Sequence, residues 1–163
     1  MAEVVVSALA LDATNTPVVL LKEIEGDRVL PIWIGYAEAN AIDMVLQGKR
    51  SERPLTHDLM KTILAALHVK VTRILISELK DNTFYAKIFL ESDGSVLSID
   101  ARPSDSIALA LRIRAPIHVA DEVLQSSGTS IKLDEKTKAR VLRNYLKQLD
   151  LEDFGKYELD SPE

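Results

Sequence analysis

The stretch Ile99-Asp100-Ala101-Arg102-Pro103-Ser104-Asp105-Ser106-Ile107 gathers two carboxylates and a guanidinium at one point of the chain. Val96 to Ile99 alternates like a strand, and Ile107 to Leu111 is an unbroken apolar run of good helix formers. Pro103 disfavours helical geometry at Arg102, and Ser104 just after it reads as the helix N-cap. The strand therefore stops where free backbone N–H groups and the positive end of a helix dipole begin. Such a corner can hold an anion or a metal-bound phosphate. The same composition also makes an ordinary helix cap.

A second corner lies at Arg53-Pro54-Leu55-Thr56-His57-Asp58. Thr56 reads as an N-cap, with Leu55 and Met60 placed to staple across it. His57 beside Asp58 could act as a general acid or base near neutral pH, or donate to a phosphate. In the alternative reading Thr56 caps, Asp58 complements the dipole, and His57 only faces solvent. Arg53 and Arg102 suit bidentate phosphate contact, and each could equally pair with a nearby aspartate.

Asp100, Asp105, Asp58, Asp81 and Glu38 are the carboxylates at element ends. A hard cation such as Mg²⁺ takes one or two carboxylates plus waters and substrate phosphate. Phosphodiester cleavage needs such an ion, or cationic groups, to stabilise the transition-state oxyanion. Asp100 and Asp105 are the best-placed pair for it, with Glu38 a weaker third ligand. The chain lacks a phosphate loop ending in Lys-Ser/Thr, a serine nucleophile elbow and a histidine pair at zinc spacing. His68, at a helix end, reads as surface and His118 as packing.

The elements that must position these groups follow from patterning. Val4 to Leu11, Val18 to Ile24 and Arg28 to Ile34 read as strands of an antiparallel meander, with Trp33 in the core. Pro31 has no N–H to give, so its strand belongs at an edge or a bulge. A helix is expected over 37–47, with Ala37, Ala41, Met44 and Val45 on one face. The cationic loop Gly48 to Pro54 leads to a second helix striped by Leu59, Ile63 and Leu67. A strand over 69–80 slips phase between Val71 and Ile74 as at a bulge. Asp81-Asn82 and Ser92 to Ser95 then turn the chain into two further strands, and on the last of them Asp100 points away from Leu97, Ile99 and Ala101. The corner helix runs from Ser104 to about Arg112, and Ala115 to Val119 gives a short strand. Asp121 caps a short helix, and Gly128 to Leu133 makes a loop or short strand. An amphipathic helix over 134–149 and an acidic tail are expected to pack on, or be appended to, the domain over 1–133.

The 163 residues suffice for one core, and 47% hydrophobic with 28% charged residues is an ordinary soluble composition. A formal charge of −5 gives no overall basic field for duplex nucleic acid, though it leaves local phosphate binding open. Absence of cysteine excludes disulfides, thiolate metal sites and a cysteine nucleophile. Residues 1–13 carry Glu3 and no positive leader, and no apolar run nears the roughly 18 residues of a membrane span, so a cytoplasmic protein is expected.

Pro31-Ile32-Trp33-Ile34-Gly35, Glu38-Ala39, Arg53 to Leu59, Asp81 to Ala86 and Asp100 to Ala110, in that order and spacing, resemble the bifunctional nuclease domain family over roughly residues 3–125. The resemblance implies a single α+β domain, with a mixed, largely antiparallel sheet flanked by helices, often found as a homo-oligomer. It also implies cleavage of both RNA and DNA with little sequence preference. Its motif positions fall here on Glu38, Arg53, Thr56, His57, Asp58, Asp81, Asn82, Asp100, Arg102, Ser104 and Asp105. The nuclease reading then assigns proton transfer to His57, with Asp58, Asp100 and Asp105 in the catalytic set. Arg53, Thr56, Arg102, Ser104 and Asn82 would contact the nucleic acid, and the cofactor would be a divalent metal such as Mg²⁺ on Asp100 and Asp105. Three positions depart from the family pattern: Ser106 replaces a usual alanine, Arg114 a helix-ending glycine and His118 a larger apolar residue. The region after about 134 lacks the helical hairpin with which some relatives dock to repair proteins. The alternative is a non-catalytic binding or oligomerisation module whose polar corners are structural.

Overall fold

A computed structural model describes residues 1–129; the expected helix over 134–149 and the acidic tail lie outside the described residues. Three strands open the chain, β1 (Ala2–Leu11), β2 (Pro17–Glu23) and β3 (Val29–Trp33), followed by helices α1 (Tyr36–Leu46) and α2 (Thr56–Ala66). Strands β4 (Lys70–Lys80), β5 (Thr83–Ser92) and β6 (Ser95–Ala101) precede helix α3 (Pro103–Ile113), strand β7 (Ile117–Val119) and helix α4 (Asp121–Ser127). The strands form one sheet in the order β3-β2-β1-β7-β4-β5-β6. Every pairing is antiparallel except β4 with β7. This is the expected α+β fold with a mixed, largely antiparallel sheet.

Local chemistry sets the register. Asp81 and Asn82 turn β4 into β5 with φ of 49° and 57°, and Asp93 and Gly94 turn β5 into β6 with φ of 49° and 75°. Paired positive φ values are what a tight hairpin whose twist matches its strands requires. The Asp12 carboxylate ties the first turn by accepting from the N–H groups of Thr14 (2.8 Å) and Thr16 (3.0 Å). These hydrogen bonds pull its pKa down to about 2. The phase slip in β4 is a register shift between Val71 and Arg73, and Pro31 sits on an edge strand.

One face of β4 and β5 supplies Ile74, Ile76, Ala86 and Ile88 to the core, and α3 meets it with Ile107, Ala108, Leu109 and Ala110. Pro103 occupies the first helical position of α3, where a missing N–H costs nothing.

Several expectations are corrected. The N-caps are Leu55 and Arg102, so Thr56 and Ser104 lie inside their helices; neither helix has a side-chain cap. Likewise Ala120, not Asp121, caps α4. Each expected cap lies one or two residues too late in the chain, because proline or an extended leucine can enter a helix without a hydroxyl. Trp33 is 54% exposed, held at the surface by its Nε1–H donating to Asp12 (2.9 Å). The buried face of α1 centres on Ala39 and Ile42, with Ala37 exposed and Val45 half-buried. In α2 the Leu59, Ile63 and Leu67 stripe faces solvent, while His57 is buried and Met60 and Leu64 pack on the core.

Candidate active site

Helices α1, α2 and α3 bring four of the expected site residues into one bonded chain. Arg102, the N-cap of α3, donates Nε to Asp105 Oδ2 at 2.8 Å and sets Nη2 2.9 Å from Glu38 Oε1 on α1. The other oxygen of Asp105 lies 3.0 Å from His57 Nε2 on α2. Exposure is graded along this chain. The His57 side chain is 7% exposed, Glu38 17%, Asp105 27% and Arg102 66%. The guanidinium is thus the group offered to solvent, and three of its five N–H donors are uncommitted by these bonds.

Burial pushes the Asp105 carboxyl up, but the hydrogen bonds from Arg102 and His57 outweigh it and hold it below the ordinary range. The hydrogen bond to Asp105 likewise raises Arg102.

A second ion pair lies behind the first. Arg112, its side chain 6% exposed, donates Nε to Asp58 Oδ1 at 2.8 Å. Its Nη1 donates to the carbonyls of Ala41 (3.0 Å) and Ala108 (2.9 Å). Asp58 also accepts from the N–H of Leu55 at 3.0 Å, closing one half of a capping box. Burial raises Asp58, and the Leu55 N–H and Arg112 together bring it below its usual value. Sequence reasoning missed Arg112. The available signal was its spacing of seven from Asp105, which puts both on one face of α3. It also missed Gly35, where an added Cβ would run into the Glu38 carboxylate.

The remaining expected residues are distributed around this chain. Thr56 is exposed beside His57, and Ser104 is buried one residue before Asp105. Arg53 is exposed in the α1–α2 loop and, with Lys49 and Arg50, makes no ion pair among the described residues. Asn82 tops the β4–β5 turn on the sheet end where β6 gives way to Arg102. Asp100 is exposed on β6, opposite Lys87, and forms no hydrogen bond or ion pair among the described residues. The Ser106 hydroxyl donates to the Arg102 carbonyl (3.0 Å), and His118 Nδ1 is buried without a partner among the described residues. His57 does not face solvent.

Among the described residues no group of three or more His, Asp or Glu side chains is arranged to hold a metal ion. Asp105 and Glu38 already share the same guanidinium. What the site can do is present a planar cation to a phosphate, with an imidazole oriented by a carboxylate behind it. No helix among the described residues is long and apolar enough to cross a membrane.

Comparison with known proteins identifies the family. An uncharacterized protein of Mycobacterium tuberculosis is 46% identical over 117 residues, spanning 72% of this chain and 70% of that protein. Bifunctional nuclease 1 of Oryza sativa subsp. indica is 25% identical over 122 residues, 73% of this chain and 37% of the plant protein. Bifunctional nuclease 1 of Arabidopsis thaliana is 24% identical over 124 residues, 74% and 38% respectively. The sequence profile of the bifunctional nuclease domain matches residues 19–132, most of the chain, and the chain belongs to that family.

Proposed function

We propose that this protein is a nuclease that cleaves phosphodiester bonds in RNA and DNA with little sequence preference. The observation that carries the reading is the convergence of His57, Asp105, Arg102 and Glu38 from three helices, with the cation outermost. Arg102 contacts a substrate phosphate through its free donors, and the exposed Arg50 and Arg53 of the α1–α2 loop supply further cations for the nucleic-acid backbone. Asp105 orients His57 through Nε2, leaving Nδ1 as the nitrogen for proton transfer. The family name carried by the plant relatives supports the reaction class. No step is routed through a metal, since Asp105 and Glu38 are ion-paired.

A second reading is supported by the burial of His57 and by Arg112 bonding to α1, α2 and α3 at once. In it the same network staples the helices and does no chemistry.

The test is cleavage of end-labelled RNA and single-stranded DNA by wild type, Arg102→Ala and His57→Gln, with EDTA and Mg²⁺ arms. Cleavage that falls at least 100-fold in both variants, with the fold retained, supports the nuclease. Wild type with no cleavage under any ionic condition, or variants as active as wild type, overturns it. Loss of activity in EDTA, restored by Mg²⁺, would establish a metal requirement that this mechanism lacks.

A further inference from the structure

The sheet has two faces, and the helices account for only one of them. Residues of α1, α2, α3 and α4 all pack with the large core cluster, among them Ile42, Leu64, Leu109 and Leu124. On the other face Ala8, Ala10, Val18, Leu20 and Val29 form a second buried cluster, every member on a strand. Register brings them together: Ala8 lies opposite Leu20, Ala10 opposite Val18, and Val29 on β3 is diagonal to Leu20. Each is 5% exposed or less. Side chains stand out from a sheet, and its face is buried only by another layer about 10 Å above it. Among the described residues no helix supplies that layer.

We propose that the layer is an amphipathic helix over residues 134–149 of the same chain, docked along β2 with its apolar row against the second cluster. Position favours this segment. Thr129, the last described residue, exchanges backbone hydrogen bonds with Val29 at 2.9 Å each, so the chain leaves at the cluster's own edge. Residues 130–133 then span up to about 14 Å, at roughly 3.4 Å each, enough to climb onto that face. Length fits as well. Sixteen residues of helix run about 24 Å, the length of the seven residues of β2 at about 3.4 Å each. Ala139, Leu142, Leu146 and Leu149 recur at helical spacing, and Lys136, Arg140, Arg143 and Lys147 make a separate row on another side. Only the first row can be buried against Val18 and Leu20 without stranding charge. Charge is complementary too: residues 1–129 hold 13 Lys and Arg against 17 Asp and Glu, and residues 134–149 hold five against two. The proposal is independent of the nuclease reading.

Paramagnetic broadening in the full chain tests it, since a protein without cysteine takes a spin label only at the site where one is introduced. A nitroxide on Gln148→Cys should broaden the backbone amides of Ala10, Val18 and Leu20 and spare those of Leu109 on α3 and Ile99 on β6. Adding Leu142→Asp and Leu146→Asp should abolish the broadening and lower the melting temperature by at least about 5 °C. Adding Arg140→Ser and Lys147→Ser instead should keep the broadening and move the melt by no more than about 2 °C. Should the two aspartates unfold the chain, the label on Gln148→Cys decides alone. Cluster amides left sharp by that label overturn the proposal, as does an aspartate pair that changes neither readout. Equal broadening in an untagged ¹⁵N-labelled chain mixed with the tagged one also overturns it, because a neighbouring copy would then supply the layer.

Discussion

His57 Nε2 stands 3.0 Å from Oδ1 of Asp105 although the two residues are 48 positions apart, and Oδ2 of the same carboxylate takes Arg102 Nε at 2.8 Å. One carboxylate thus fixes both the imidazole and the exposed guanidinium. Asp105→Asn keeps the shape but can no longer accept on both sides. We expect a loss of at least 100-fold in nucleic-acid cleavage and of about 1–3 kcal/mol in stability, since the buried His57 loses the carboxylate it bonds. Arg102→Ala, at an exposed pair, should cost about 1 kcal/mol or less while lowering cleavage comparably. Parallel cleavage assays and urea unfolding separate the two effects.

Arg112→Met should be among the more damaging single substitutions. It leaves Asp58 without its cation and takes a second donor from two helix carbonyls, at the junction of α1, α2 and α3. The Asp58 side chain is 37% exposed, so water replaces part of the loss. The expected cost is about 2–3 kcal/mol, toward the low side of breaking a buried pair, read from the urea midpoint.

Arg114 closes α3 with φ of 58°, in the left-handed region where a Cβ is crowded. Arg114→Gly removes that strain of roughly 1–2 kcal/mol and adds chain entropy to the unfolded state, worth about 0.5–1 kcal/mol against it. The net expectation is a stabilisation of about 0.5–1 kcal/mol, visible as a melting temperature raised by on the order of 2 °C.

Acid should unfold the protein through a defined set of carboxylates. Asp105 and Asp58 lie below the ordinary 3.8 despite burial, and Asp12 is held at about 2. Glu23 is lowered from 4.5 by its hydrogen bonds from Arg28. A lowered folded-state pKa stabilises the native form above the unfolded value, and that contribution disappears as pH falls through the folded value. Urea midpoints should therefore be level above about pH 5 on this account and fall progressively below pH 4. A midpoint unchanged down to pH 2.5 would contradict the assignments.

The α1–α2 loop is expected to set affinity without setting stability. Arg50 and Arg53 are exposed and bear no ion pair among the described residues. Replacing both with alanine should weaken binding to a single-stranded oligonucleotide and reduce the slope of log K against log salt by about 1.4, roughly 0.7 per phosphate contact. Fluorescence anisotropy at several salt concentrations measures this, and melting temperatures should stay within a degree.

Much of this could be read along the chain because local rules decide it. Alternation gave the strands, Asp-Asn and Asp-Gly gave the hairpin turns, and proline marked both the edge strand and the start of α3. What failed depended on neighbours distant in sequence. Trp33 reads as core until Asp12 supplies a surface partner for its indole. The Leu59-Ile63-Leu67 stripe reads as the inner face of α2, yet the inward side is set by His57, which reaches Asp105, and by Met60 and Leu64. In the candidate site the residue types were legible, and so was the pairing of a strand end with a helix start. Which carboxylate meets which cation was not, because it depends on how three helices cross. Asp105 joins His57, Arg102 and Glu38, while Asp100 stands apart on β6. Arg112 gave only a weak sign, its spacing of seven from Asp105, since a lone arginine late in a helix usually faces water.

Strand β7 is three residues long, yet among the described residues it is the seam of the sheet, antiparallel to β1 on one side and parallel to β4 on the other. The first three strands and the β4-β5-β6 hairpins each hang together by near-neighbour pairing, and Ile117, His118 and Val119 are where those two blocks are stitched. Loosening this stitch would let the blocks part while each kept its own ladder. Amide exchange at β7 should therefore report the opening that ends the molecule's all-or-none behaviour.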